Sequence, residues 1–204
     1  MLKQDLKKVH RDLYGPKTEP ELVEVPTRAF LMIDGHGDPD VESSGYGAAV
    51  EALYTVAYTL RFALKKAEVI EYPVPPLEGL WWTDEFSDTP EWLRRDEWNW
   101  TMMIPQPPQV DAVGFADAVA SARRKKGERE EFGRVRFEEF TEGLSAQILH
   151  IGPYSSEPET MERLNAFVKD KGLSWTGRHH EIYLSDPRKA VPERMKTILR
   201  HGVG

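Results

Sequence analysis

One short run, His180-Glu181-Ile182-Tyr183-Leu184-Ser185, places residue types suited to chemistry at a useful spacing. In an extended chain alternate side chains point to opposite faces, so Glu181 and Tyr183 share one face and Ile182 and Leu184 the other. The apolar pair is expected to pack on a helix, which leaves Glu181 and Tyr183 on the face away from it. If that face is solvated, Glu181 is an ordinary surface glutamate. If it is buried, the carboxylate has a raised pKa, attracts cationic ligands or acts as a base. The second candidate feature is aromatic. Five of the six tryptophans fall between Trp81 and Trp100. Indole is costly as plain filler, because its N–H needs a partner. Together with Tyr46, Tyr54, Tyr58, Tyr72, Tyr154, Trp175 and Tyr183, the chain has enough rings to line a pocket for a flat or cationic ligand. Alternation along 78–84 and 98–103 makes Trp82 and Trp100 candidate walls and turns Trp81 toward the core. Trp98 stays open between the two roles, and Trp92 falls in a charged connection.

Other chemistries are excluded by what the chain lacks. It has no cysteine, which removes disulfides, thiolate nucleophiles and Cys-ligated metals. There is no His-Glu-x-x-His, no phosphate-binding loop and no Gly-x-Ser-x-Gly, and Gly35-His36-Gly37 lacks the rest of a dinucleotide fingerprint. Six histidines are scattered, and the adjacent pair His179-His180 points to opposite strand faces. No metal and no cofactor is expected. The net charge of -7 over 204 residues makes nucleic acid a poor partner, and the basic run 123–126 reads as a solvated helix end. No apolar run approaches the ~20 residues of a membrane span, and the first residues are polar. The expectation is a cytoplasmic protein whose partner is a small molecule. Nothing in the sequence sets an oligomeric state.

These residues need elements to position them. Residues 28–34 read as a mostly buried strand, broken by Gly35-His36-Gly37-Asp38-Pro39. Tyr46, Ala49, Val50, Leu53, Val56, Ala57, Leu60 and Leu64 follow at three- and four-residue steps, one face of a helix to about Lys66, with Ser43 or Ser44 as cap. Strands are expected over 67–72, 78–84 and 97–104, with a charged connection over 85–97. A helix over 111–126 ends in a basic turn and Gly127. A strand over 144–151 breaks at Gly152-Pro153-Tyr154, and Ser156-Glu157-Pro158-Glu159 is a capping-box pattern opening a helix to Gly172. Strands over 173–176 and 180–184 and a last helix over 192–200, begun by Pro192, complete the reading. The order strand, glycine turn, helix, strand, strand thus occurs twice. The predicted class is α+β, a pseudo-symmetric tandem of two β-α-β-β repeats. Antiparallel strands would carry helices on one side, with a ligand cleft between repeats.

The run His150-Ile151-Gly152-Pro153-Tyr154, then Glu159-Thr160, Leu164, Gly172-Leu173 and Glu181-Ile182-Tyr183-Leu184-Ser185-Asp186-Pro187 resembles the GyrI-like small-molecule-binding domain. That domain also forms the effector half of multidrug-sensing regulators. The resemblance covers nearly the whole chain from about Pro20. It implies a lead-in over 1–20 and a single domain over 21–204. Within that domain it implies one repeat over 28–104, a linker helix over 111–126, a second repeat over 144–184 and a C-terminal helix over 192–200. The family's pocket glutamate maps onto Glu181. Residues 76–82 and 98–107 further resemble a subfamily of cyclopropanoid cyclopropyl hydrolases, which add water to the strained ring of DNA-alkylating natural products inside an aromatic cage. The hydrolytic reading takes Glu181 and Tyr183 as catalytic residues, Glu181 orienting or deprotonating the water and Tyr183 or Tyr154 donating a hydrogen bond to the carbonyl oxygen. It implies Trp82, Trp100, Tyr154, Trp175 and Tyr46 as contacts for flat aromatic or cationic xenobiotics. A binding-only, drug-sequestering module and a gyrase-inhibitor-like interaction protein are the alternatives.

Overall fold

The computed structural model describes residues 1–84, 94–186 and 188–204. Trp92 and Pro187 of the sequence reading lie outside the described residues, as does most of the charged connection over 85–97. The chain divides into two compact units interleaved in sequence. The first holds Met1–Val9, Arg28–Pro75 and Trp81–Phe140. The second holds His10–Thr27, Pro76–Leu80 and Thr141–Gly204.

In the first unit β1 (Leu2–Lys3) and α1 (Leu6–Val9) lead in, and the chain moves to the second unit for α2 (Arg11–Tyr14) and β2 (Glu21–Val25). It returns with β3 (Arg28–His36), α3 (Tyr46–Lys66) and β4 (Ile70–Glu71), which pairs in parallel with β1. Then follow β5 (Glu78–Trp82), divided between the units, β6 (Asn99–Pro105), α4 (Ala112–Lys126), α5 (Glu130–Arg134) and β7 (Arg136–Phe140). β3 lies between β6 and β7 and is antiparallel to both. Its run Phe30-Leu31-Met32-Ile33 is buried throughout, so apolar residues here are continuous, not alternating. α3 lays Ala49, Ala52, Leu53, Val56, Ala57 and Leu60 against β3 and β6. Each buried Leu or Val contributes roughly 1.5–3 kcal/mol. The cap of α3 is Gly45 in the left-handed conformation, while the hydroxyl of Ser44, one step earlier, accepts from the Tyr46 amide at 3.3 Å. Asp111 caps α4 by accepting from the Gly114 amide.

The second unit continues with β8 (Gly143–Ile151), α6 (Glu157–Asp170), β9 (Trp175–Tyr183) and β10 (Lys196–Val203). The strands lie in the order β2-β8-β10-β9, all antiparallel. Here the structure corrects the sequence reading. Residues 192–200 do not form a helix: Pro192–Arg194 make one 3₁₀ turn, and the rest is the strand β10. Thr-Ile-Leu at 197–199 is β-branched and apolar, and burial between two strands overrides the proline start signal. Residues 173–176 and 180–184 likewise merge into the one strand β9, which bulges at Gly177 (φ +73°) where the register with β10 shifts. The capping box is also not formed. Ser156 occupies the cap position of α6, but its hydroxyl donates to the Pro153 carbonyl at 2.8 Å. The repeat itself is present as β3-α3-β5-β6 and β8-α6-β9-β10, the second running on to Val203. The fold is α+β, with antiparallel strands and the long helices packed on one side of them, α3 on β3 and β6, α6 on β8.

Two small cores cover the two faces of the second unit. Leu13, Tyr14, Val23, Val25, Ile182 and Ile198 form one, on the α2 side. Ala146, Ile148, Leu164, Val168, Leu199 and Val203 form the other, on the α6 side. Within the α2-side face lies a network of buried charges. His180, with no exposed side-chain surface, donates from Nδ1 to Glu142 (2.9 Å) and from Nε2 to Glu78 (3.0 Å). The Tyr14 hydroxyl donates to Glu78 at 2.6 Å. The Arg200 guanidinium lies 3.7 Å from Glu142 and donates to Gln147 and to the Leu13 carbonyl. Burial works against the charge on His180, but Glu142 and Glu78 outweigh it and raise its pKa. Burial also pushes Glu142 up, yet His180 and Arg200 hold it below the ordinary carboxylate range. Glu142 therefore stabilises the fold above the unfolded carboxylate pKa and loses that contribution as pH falls. His180 stabilises it below about 6.5, the ordinary histidine value, and loses that contribution as pH rises through its folded value.

Two substitutions test this architecture. Arg200→Met leaves Glu142 and His180 with an uncompensated buried charge, so urea denaturation at pH 7 is expected to show a loss of about 3–5 kcal/mol. In the first unit a Cβ on Gly35 would lie 2.0 Å from the Trp100 ring. Gly35→Ala is expected to cost about 1–3 kcal/mol in the same assay and to shift the tryptophan emission.

Candidate functional site

β9 alternates cleanly. His180 and Ile182 go to the α2 side, and His179, Glu181 and Tyr183 go to the α6 side. The sequence reading put a helix behind Ile182 and Leu184 only. The structure places the one-turn α2 there and the longer α6 on the face of Glu181. Glu181 is mostly covered, with 16% of its side chain exposed, and His179 Nε2 lies 3.2 Å from its Oε1. The His179 Nδ1 is buried and has no hydrogen-bond partner among the described residues.

A second carboxyl, Glu157, meets this group from the first turn of α6. Its Oε1 is buried without a hydrogen-bond partner among the described residues. Burial first, and then the charge of Glu181, push its pKa up to about 10, against a pull downward from the Thr197 side chain. Thr197 pairs with Tyr183 across β10 and β9, and Leu199 pairs with Glu181, so Thr197 stands one diagonal from Glu181. A helix N-terminus favours an anion, but by only ~0.3–2 kcal/mol, which is too little to ionise Glu157 at neutral pH. Glu157 therefore holds its proton at neutral pH.

Tyr154, in the 3₁₀ turn before α6, meets Tyr183 edge-to-face at 6.2 Å. The residue is 41% exposed. Burial, then the charges of Glu181, Glu157 and Asp186, push its hydroxyl up to about 12, so it remains a proton donor. The structure thus brings Glu181, Tyr183 and Tyr154 together, and adds Glu157 and His179. Trp175 stacks on His201 at 4.9 Å and packs against the α6-side core. The His201 ring meets His179 edge-on at 6.1 Å, and burial, with His179 beside it, lowers its pKa to about 4, so it stays neutral.

In the first unit Tyr46, at the start of α3, stacks on Trp81 (6.1 Å) and meets Trp100 edge-to-face (5.3 Å). Trp81 in turn meets Trp98, whose ring carries the Arg95 guanidinium at 5.2 Å. Arg95 is held by Asp38 and Asp40. The expectation for Trp100 is corrected. Its side chain is fully buried, its ring lies against Gly35, and its N–H donates to the Gly37 carbonyl at 3.2 Å. It is packing that backs Tyr46. Trp81, read as core-facing, is half-buried on the same aromatic shelf, and Trp98 joins it. Trp82 is half-buried and donates to Asp84 at 3.2 Å.

Sequence reasoning missed Glu157, which it used as part of a cap, and His179, which it set aside with the scattered histidines. The signal for Glu157 is its position one turn after His150-Ile151-Gly152-Pro153-Tyr154, but its neighbour Thr197 was assigned to a helix. Among the described residues no group of three or more His, Asp or Glu side chains could hold a metal ion. No described helix is long and apolar enough to cross a membrane.

Comparison with known proteins agrees with this fold. The sequence profile of the GyrI-like small molecule binding domain matches residues 18–200. An uncharacterized conserved protein from Listeria innocua is 42% identical, with a TM-score of 0.90 over 98% of this chain and 99% of its own. A hydrolase from Listeria innocua is 41% identical (TM-score 0.85; 98% and 99% covered), and another from the same organism 40% identical (TM-score 0.88; 99% and 100% covered). No curated protein matches.

The proton on Glu157 makes a prediction for stability. Glu157 has a folded pKa above its unfolded value of 4.5, so its contribution is fully present below that value and is lost as pH rises toward about 10. Glu157→Gln cannot ionise. Thermal denaturation is expected to show the variant losing less stability than wild type between about pH 5 and 9, and exceeding wild type at the alkaline end.

Proposed function

Because the chain belongs to the GyrI-like family of small-molecule-binding domains, we propose that it binds a flat xenobiotic and adds water to it, opening a strained cyclopropane ring of the kind carried by DNA-alkylating natural products. The observation that carries this reading is Glu181, a mostly covered carboxylate facing Tyr183, Tyr154 and a second, neutral carboxyl. The hydrolase names of two relatives at about 40% identity support the reaction class.

In this reading Glu181 orients one water and takes its proton as the water oxygen attacks the unsubstituted cyclopropane carbon. The C–C bond that breaks sends its electron pair into the conjugated carbonyl, whose oxygen becomes a phenolate. Tyr154 keeps its proton and donates a hydrogen bond to that oxygen, with Tyr183 packed against its ring. General-base help of this kind is worth ~10²–10⁴-fold, and release of ring strain drives the step. Aromatic rings exclude bulk water and stack on a flat ligand. Tyr154, Tyr183 and Trp175 of the second unit are the rings we assign to this role. The ligand is an uncharged or cationic aromatic small molecule, and a cytoplasmic site of action suits it.

The test is incubation with a duocarmycin-type compound bearing an intact cyclopropane, followed by mass spectrometry for the water adduct. Wild type is expected to form it, with Glu181→Gln slower by ~10²–10⁴-fold. Equal, slow conversion by both proteins would remove Glu181 from the mechanism. Tight binding with the compound recovered unchanged would make the protein a sequestering module.

A further inference from the structure

We infer that His179 is the positioning residue of the hydrolytic site: it donates from Nε2 to Glu181 Oε1, fixes the carboxylate and leaves Oε2 for the water. This rests on the hydrolytic reading above. The two side chains stand two residues apart on the α6 side of β9, both mostly covered, with Nε2 3.2 Å from Oε1. The direction of the bond follows from the other ring nitrogen. Nδ1 is buried and has no hydrogen-bond partner among the described residues. A hydrogen on Nδ1 would be an unsatisfied buried donor, and Nε2 would then meet Oε1 lone pair to lone pair. With the hydrogen on Nε2 only a lone pair is left bare, and the carboxylate gains a donor.

A neighbour across the sheet braces the ring. His201 stands opposite His179 in the pairing of β10 with β9 and meets it edge-on at 6.1 Å. His201 is itself stacked on Trp175 at 4.9 Å, and its Nε2 lies 3.4 Å from the Gly177 carbonyl at the bulge of β9. Trp175, His201, His179 and Glu181 thus form one run of contacts that ends at the carboxylate. A base held in one orientation is what attack by a single water requires. The titratable groups facing Glu181 are His179 on its own strand, Glu157 from α6 and Tyr154 from the turn before α6, and His201 from β10 faces His179. The reaction keeps its balance. Water gives one proton to Oε2 as its oxygen bonds the ring carbon, and the cleaved C–C pair becomes the phenolate. Glu181 then returns its proton to solvent while the phenolate takes one from it. The net change is addition of one water, and His179 keeps its hydrogen throughout.

Ring opening of the same duocarmycin-type compound is measured from about pH 4 to 9 for wild type, His179→Gln, His179→Leu and His179→Met, with folding checked by thermal denaturation. The glutamine amide nitrogen stands as many bonds from Cβ as Nε2 does, so His179→Gln keeps the donor. It is expected to keep most of the wild-type kcat and the wild-type acid limb. The two apolar variants are expected to lose about 10–10²-fold in kcat with KM unchanged. They also lack a hydrogen bond that favours the charged form of Glu181, so the acid limb of their kcat/KM profile is expected to move up by about one pH unit. A folded apolar variant with the wild-type rate and acid limb would overturn the assignment of His179 and leave the hydrolytic reading intact. So would a folded His179→Gln that loses the rate. A wild type that binds the compound and never opens it would overturn both.

Discussion

The second unit depends on one pinned imidazolium. His180 has a carboxylate on each ring nitrogen and an arginine beyond one of them, all out of water. Any of these charges alone would be too costly to bury. Together they are two anions and two cations drawn from β5, from the residue before β8, from β9 and from β10, so satisfying them aligns those segments. The alignment has a further effect at residue 181. A strand that slips by one residue sends every side chain to the other face. Holding His180 on the α2 side therefore commits Glu181 and Tyr183 to the α6 side.

The two faces of β9 solve opposite electrostatic problems. On the α2 side His180 lies between two carboxylates, and Arg200 lies beyond Glu142. On the α6 side two carboxyls meet without a cation bonded to both, and the conflict is resolved by keeping a proton on Glu157. Stability alone would favour removing that conflict. In the first unit the Arg95 charge sits over Trp98 and is neutralised by Asp38 and Asp40, and Trp100 is packed too tightly to meet a ligand.

Much of this was legible from periodicity. α3 and α4 announced themselves by their three- and four-residue steps and by Asp111 and Gly127, and β3, β6 and β8 by apolar runs stopped at glycine or proline. The alternation around Glu181 correctly grouped it with Tyr183. Illegible were features that depend on partners distant in sequence. The segment that leads into β10 carries Pro192 and a polar run, and the strand character of β10 comes from lying between β8 and β9. With β10 misassigned, Thr197 had no place beside Tyr183, and Glu157 looked like an ordinary cap. The roles of the tryptophans turned on close approach. Nothing in the letter Gly at position 35 says that an indole from β6 will occupy the space of its missing side chain.

The position of β10 also bears on how the second unit is made. β8 and β9 do not pair with each other; β10 lies between them and follows both in the chain. Until it arrives, each has one open edge, and Glu142 and His180 lack the arginine that shares their charge. The first unit uses only residues up to Phe140, so its pairings can form while the second waits. Assembly therefore has a built-in order. The α6-side face that carries Glu181 is completed only when β10 pairs with β8 and β9.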